Sequence, residues 1–219
     1  MKSKSLSLNV SKEIGKVSAE TITPEKPKCI MTLAHGAGAG MHHAFMVALS
    51  NVLADLNIAT LRFNFPFTEN KSGRPDRPDV AHKTIEAAIT KAEELFSGLP
   101  LFVSGKSFGG RMSSQYLSSH PDKKVKGIIF YGFPLHPAGK PSMERSAHLK
   151  DLQIPQLFLQ GSRDALATLD LIEKVCASLP LAELEVIEGA DHSFNAGKTD
   201  TIRILADKTS AWMDKLIKK

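Results

Sequence analysis

The stretch Leu101-Phe102-Val103-Ser104-Gly105-Lys106-Ser107-Phe108-Gly109-Gly110 limits the architecture more than any other part of the chain. Leu101 to Ser104 is short, apolar and β-prone, and Arg111 to Leu117 can run as a helix. Gly105 to Gly109 must then turn the chain sharply from strand to helix, the setting in which Gly-x-Ser-x-Gly lifts a serine hydroxyl clear of a sheet. So tight a turn strains the serine backbone. Side chains two positions to either side would collide, so Gly105 and Gly109 read as steric requirements. The spacing alone says little, because at ordinary residue frequencies it arises in roughly one chain in fifteen of this length. A phosphate-binding loop also ends in Gly-Lys-Ser, but it needs a glycine five residues before Gly105. Position 100 is Pro100, and that alternative fails.

The rest of the chain alternates strands with helices. Residues 5–10 and 17–22, with a turn at Gly15, predict an antiparallel hairpin at a sheet edge. Cys29–Ala34 and Ile58–Phe63 are apolar enough for strands buried on both faces. Helical spacing runs from Ala44 to Leu56 and from Val80 to Phe96, and a Pro-, Gly- and Arg-rich loop spans Asn64 to Pro78. Further strands are expected at Val125–Tyr131, Pro155–Gln160 and Ala182–Glu188. Helices are expected at Leu166–Leu179 and Thr199–Lys218. The pattern predicts one α/β domain over residues 1–219, a mostly parallel sheet with helices on both faces and no cap domain.

In such sheets ligands gather at the carboxyl ends of the strands, and that rule sorts the polar residues. Four reactive segments follow predicted strands: His35–Gly40, Ser107, Gly161-Ser162-Arg163-Asp164, and Gly189-Ala190-Asp191-His192. A serine hydroxyl is a weak nucleophile until a base takes its proton. His192 has the proton affinity for that work, and Asp164 can fix its tautomer and stabilise the imidazolium. Asp191 adjoins His192 too closely in sequence to orient it. The oxyanion of a tetrahedral intermediate needs backbone donors, expected at Phe108 and, from the glycine-rich loop, at Ala37 and Gly38. His35 is expected to brace that loop.

Other chemistry fits poorly. The glycines at 36, 38 and 40 miss the dinucleotide fingerprint, since position 41 is Met41. His42 and His43 lack partner carboxylates at metal-ligand spacing. No cofactor and no metal are therefore expected. A net charge of +5, with lysines scattered or near the ends, gives no basic face for nucleic acid. Cys29 and Cys176 sit in apolar runs and read as reduced core thiols. With no secretory signal and no membrane-length apolar run, a cytoplasmic location is expected.

Together, Leu33-Ala34-His35-Gly36-Ala37-Gly38, Arg62-Phe63-Asn64-Phe65-Pro66, Arg74-Pro75-Asp76, Tyr131-Gly132-Phe133-Pro134-Leu135 and the order Ser107, Asp164, His192 resemble the α/β-hydrolase superfamily. They are most similar to a small lidless branch related to dienelactone hydrolases, which includes a hydrolase-like subunit of a chromatin acetyltransferase complex. The resemblance implies a serine hydrolase acting on an ester or other small acyl substrate. Thioester and peptide substrates fall to the same triad. Dienelactone hydrolases carry cysteine where this chain has Ser107, so their substrate does not transfer. The complex subunit supplies a second reading, an interaction scaffold on the same fold. Phe133, Leu135 and His136 are candidates to touch an acyl group, and Arg62 or Arg74 to meet an anionic one. The sequence leaves the oligomeric state open.

Overall fold

The computed structural model describes residues 1–218. In chain order its elements are β1 (Lys2–Ser11), β2 (Gly15–Thr23), β3 (Cys29–Ala34), α1 (Ala44–Asp55), β4 (Ile58–Phe63), α2 (Pro66–Glu69) and α3 (Pro78–Leu95). There follow β5 (Leu101–Lys106), α4 (Phe108–Ser119), β6 (Val125–Tyr131), β7 (Gln156–Gly161), α5 (Leu169–Ala177), β8 (Ala182–Ile187) and α6 (Thr201–Ile217). A 3₁₀ segment, Glu144–Asp151, lies between β6 and β7. All eight strands join one sheet in the order β1-β2-β4-β3-β5-β6-β7-β8. The β1/β2 and β2/β4 pairs are antiparallel and the remaining pairs parallel.

Side-chain alternation explains why the central strands carry apolar residues toward both faces. In β6, Ile128 and Phe130 face the core shared with α3, α4 and α5, while Ile129 and Tyr131 face the one shared with α1 and α6. Helices cover both faces of the sheet, so nearly every position in β3 to β7 is buried. The chain runs from β3 to β4 on one side, then returns to place β5 on the other side of β3. The connections therefore diverge between the carboxyl ends of β3 and β5, where an open α/β sheet leaves a crevice. The His35–Gly40 loop and Ser107 both sit there.

The expected strands and helices form with shifts at their ends, and three shifts bear on the site. α4 begins at Phe108, earlier than Arg111, because the turn leaves no residue between Ser107 and the helix. The loop from Asn64 contains α2, started by Pro66 and held where Phe67 N donates to Asp76 Oδ2 at 3.1 Å. α5 begins at Leu169, later than Leu166, because the Leu166 amide donates to Asp164 instead. The 132–152 connection packs into the core through Leu149 and adds no cap. Cys29 and Cys176 are buried and unpaired, and burial pushes each thiol up to about 12. No helix among the described residues is long and apolar enough to cross a membrane.

Candidate active site

Ser107 stands at φ +50° and ψ −115°, between the last residue of β5 and the first of α4. That left-handed conformation costs a non-glycine residue on the order of 1–3 kcal/mol, and the surrounding packing must enforce it. The two flanking glycines show how. A Cβ on Gly105 would lie 2.3 Å from Gly110 N, and one on Gly109 would lie 2.5 Å from Ala34 O. Both obstacles are backbone and cannot swing aside.

The turn presents Ser107 to the loop after β8. Ser107 Oγ lies 2.8 Å from His192 Nε2, and His192 Nδ1 lies 2.7 Å from Asp164 Oδ2. An ionised carboxylate only accepts, so Nδ1 carries the imidazole proton and Nε2 is free to accept from the serine. The Asp164 side chain is fully buried, whereas His192 keeps 22% of its side chain exposed. Asp164 is held further by Leu166 N, which donates to Oδ1 at 2.7 Å, and by Gln160 Nε2, which donates to Oδ2 at 2.5 Å. Gln160 Oε1 in turn accepts from Phe133 N at 2.9 Å. Gln160 escaped the sequence reading. Its one signal was an amide ending the buried strand Leu157-Phe158-Leu159.

On the opposite side, the loop after β3 lies against the serine, where a Cβ on Gly36 would be 3.7 Å from Ser107 Cβ. The Phe108 amide is in the first turn of α4, and helix geometry gives it no acceptor within the helix. Neither it nor the amides of Ala37 and Gly38 has a protein acceptor among the described residues. His35 holds the loop from beneath. Its Nδ1 donates to Gly36 O at 2.8 Å, and its Nε2 accepts from Phe65 N at 3.0 Å. Burial drives its pKa down to about 4, so the ring is neutral and can play both parts.

A cavity of about 320 Å³ opens over Ser107. It is lined by the Gly36–Ala39 loop, by Phe45, Met46 and Leu166, and by Lys106, His192 and neighbouring polar groups. The expected substrate contacts lie elsewhere. Phe133, Leu135 and His136 are buried at 0%, 0% and 1% exposure. Phe133 packs on Phe130 and Phe158, and His136 Nε2 accepts from Thr168 N beside the Asp164 turn. The aromatic residue after β6 is drawn down into the core, so the connection makes no rim. Arg62 is also internal. It ion-pairs with Glu20 at 2.8 Å and donates to Met41 O at 3.0 Å, as its place in a fully buried strand demands. Arg74 is exposed and lies outside the cavity wall. His43 caps α1, accepting from Phe45 N at 3.3 Å. No cluster of three or more potential metal ligands occurs among the described residues.

Comparison with known proteins agrees with this architecture. A Coxiella burnetii structure described as an alpha-beta serine hydrolase homologue superposes with a TM-score of 0.78 at 21% identity, covering 95% of this chain and 98% of that one. A Xanthomonas campestris protein described as an a/b serine hydrolase without lid gives 0.75 at 20% identity, over 97% and 95%. A dienelactone hydrolase from Anabaena variabilis gives 0.78 at 19% identity, over 98% of both chains. Among curated sequences, a Mycobacterium tuberculosis protein whose name provisionally assigns it as a phosphoribosyl transferase is 27% identical over 183 residues, 81% of this chain. The chain spans 39% of the length of that relative. The sequence pattern of the alpha/beta hydrolase domain matches residues 27–216, and the chain belongs to that family.

Proposed function

We propose that this protein is a serine hydrolase that cleaves small acyl substrates through an acyl-enzyme on Ser107. The observation that carries this reading is the unbroken relay of Ser107 Oγ, His192 and Asp164, with contacts of 2.8 and 2.7 Å and the hydroxyl facing a cavity. Ser107 Oγ attacks the substrate carbonyl carbon and passes its proton to His192 Nε2, and Asp164 stabilises the imidazolium. The amides of Phe108 and Ala37, with Gly38, receive the oxyanion. His192 then protonates the leaving group, and water deprotonated by His192 releases the acid and restores Ser107. The transferase name of the mycobacterial relative belongs to a protein of which this chain spans 39%.

Labelling with a fluorophosphonate tests the reading without knowledge of the substrate. The native protein should label on Ser107, and Ser107→Ala and His192→Ala should each lower the rate by about 10⁴-fold or more. Folded native protein that takes no label would replace this reading with that of an interaction scaffold.

A further inference from the structure

Lys106 ends β5, immediately precedes Ser107 and lines the same cavity. Its Nζ donates to the His192 carbonyl oxygen at 2.6 Å. It also stands 5.4 Å from the ring centroid of Phe194 and 6.0 Å from that of Phe45, two rings stacked on each other at 5.8 Å. An ammonium carries three protons. The His192 carbonyl is its sole hydrogen-bond acceptor among the described residues. No carboxylate lines the cavity.

The two carboxylates whose charge acts on the ammonium are engaged elsewhere, and neither hydrogen-bonds it. Asp164 is committed to His192, Gln160 and the Leu166 amide. Asp191 accepts from the amides of Ser193 and Asn195. His192 and His43 add no negative charge. Burial lowers the Lys106 pKa to about 8 against the pull of both aspartates, so the cation persists at neutral pH. A cation kept in an apolar-walled cavity with unspent donors carries a desolvation cost that an entering anion would offset. The aromatic faces offset only part of it.

We propose that Lys106 receives a carboxylate on the acyl part of the substrate, so that half-esters of short dicarboxylic acids are preferred over neutral esters. This rests on the serine hydrolase reading. A cavity of about 320 Å³ suits a chain of a few carbons between the scissile carbonyl and the anion.

The test compares kcat/KM for p-nitrophenyl hemisuccinate and hemiglutarate with that for p-nitrophenyl butyrate and valerate, which match them in chain length. The native protein should favour the half-esters by about ten- to a hundredfold, as one charge-assisted contact implies. Lys106→Met should erase the preference and Lys106→Arg should keep part of it. In the native protein the preference should fade as pH rises past about 8. Equal rates on both classes, or a Met variant that slows both by the same factor, overturn the proposal and leave Lys106 a brace for the His192 loop. Fluorophosphonate labelling of the same preparations separates the two readings. Labelled protein without the preference overturns the role of Lys106 alone, whereas folded protein without label overturns the hydrolase reading. Glutarate supplies an arm that needs no turnover: it should raise the melting temperature of the native protein and not of Lys106→Met, and no shift in either counts against the site.

Discussion

Replacing Gln160 by leucine removes two hydrogen bonds from a fully buried position. The amide orientation is forced, because Asp164 Oδ2 needs a donor and Phe133 N needs an acceptor, and Gln160 supplies both at 2.5 and 2.9 Å. Losing the bond to the carboxylate costs about 1.5–3 kcal/mol, and leaving the Phe133 amide buried without a partner costs about 1–3 kcal/mol more. The variant should be destabilised by about 3–5 kcal/mol, lowering Tm by about 6–20 °C for a chain of this size. Fluorophosphonate labelling should slow by about 10- to 100-fold, since Asp164 keeps the Leu166 amide but loses one of two constraints on the oxygen that orients His192. Gln160→Glu separates geometry from charge. A protonated Glu can make both bonds, but beside an ionised Asp164 its folded pKa must rise above the ordinary value of about 4.3. A raised folded pKa contributes stability in full below about 4.3 and loses it as pH climbs through the raised value. This variant should therefore approach native stability in acid and fall away toward neutral pH, while the leucine variant runs parallel to the native curve. A leucine variant within about 1 kcal/mol of native, labelling at the native rate, would refute the reasoning.

Arg62→Met should cost about 3 kcal/mol, because it strips Glu20 of its ion pair, leaving it only Ser3 Oγ as a hydrogen-bond donor, and strands the Met41 carbonyl, yet leave the labelling rate of folded protein unchanged. Slower labelling at native Tm would return Arg62 to the substrate. His35 is held neutral, with its folded pKa down at about 4 by burial, and His148 is lowered to about 4 in the same way, with Arg111 adding to the effect. Below about pH 6.5 the unfolded chain takes up protons that the native protein resists, so their stabilisation is complete above 6.5 and drains away between 6.5 and 4. Thermal melts from pH 7.5 to 4.5 should show that decline, with a shallower slope in His35→Gln. A flat native profile across the window would contradict it.

Local rules were enough to read the alternating strands and helices and the strand-to-helix turn from the sequence. Apolar runs such as Cys29–Ala34 can lie only where both faces are covered, and Gly105 and Gly109 are demanded by atoms within a few residues or on the next strand. Ser107, Asp164 and His192 were legible as candidates because each follows a strand, and parallel strands bring their carboxyl ends to one edge of the sheet. The cavity wall was not legible. Phe133, Leu135 and His136 look like an acyl-binding rim in a Pro- and Gly-containing connection, yet the connection folds inward and buries them. Arg62 looks available and is spent on Glu20, 42 residues away in sequence. Conversely, Gln160 belongs to no motif and Lys106 fills an unspecified position of Gly-x-Ser-x-Gly, and their importance comes from Asp164, Phe133 and His192 standing within hydrogen-bonding reach. Periodicity and glycine sterics are local and are written in the chain. Which side chains are buried, paired or left facing a cavity depends on contacts between distant segments, and only the tertiary structure decides it.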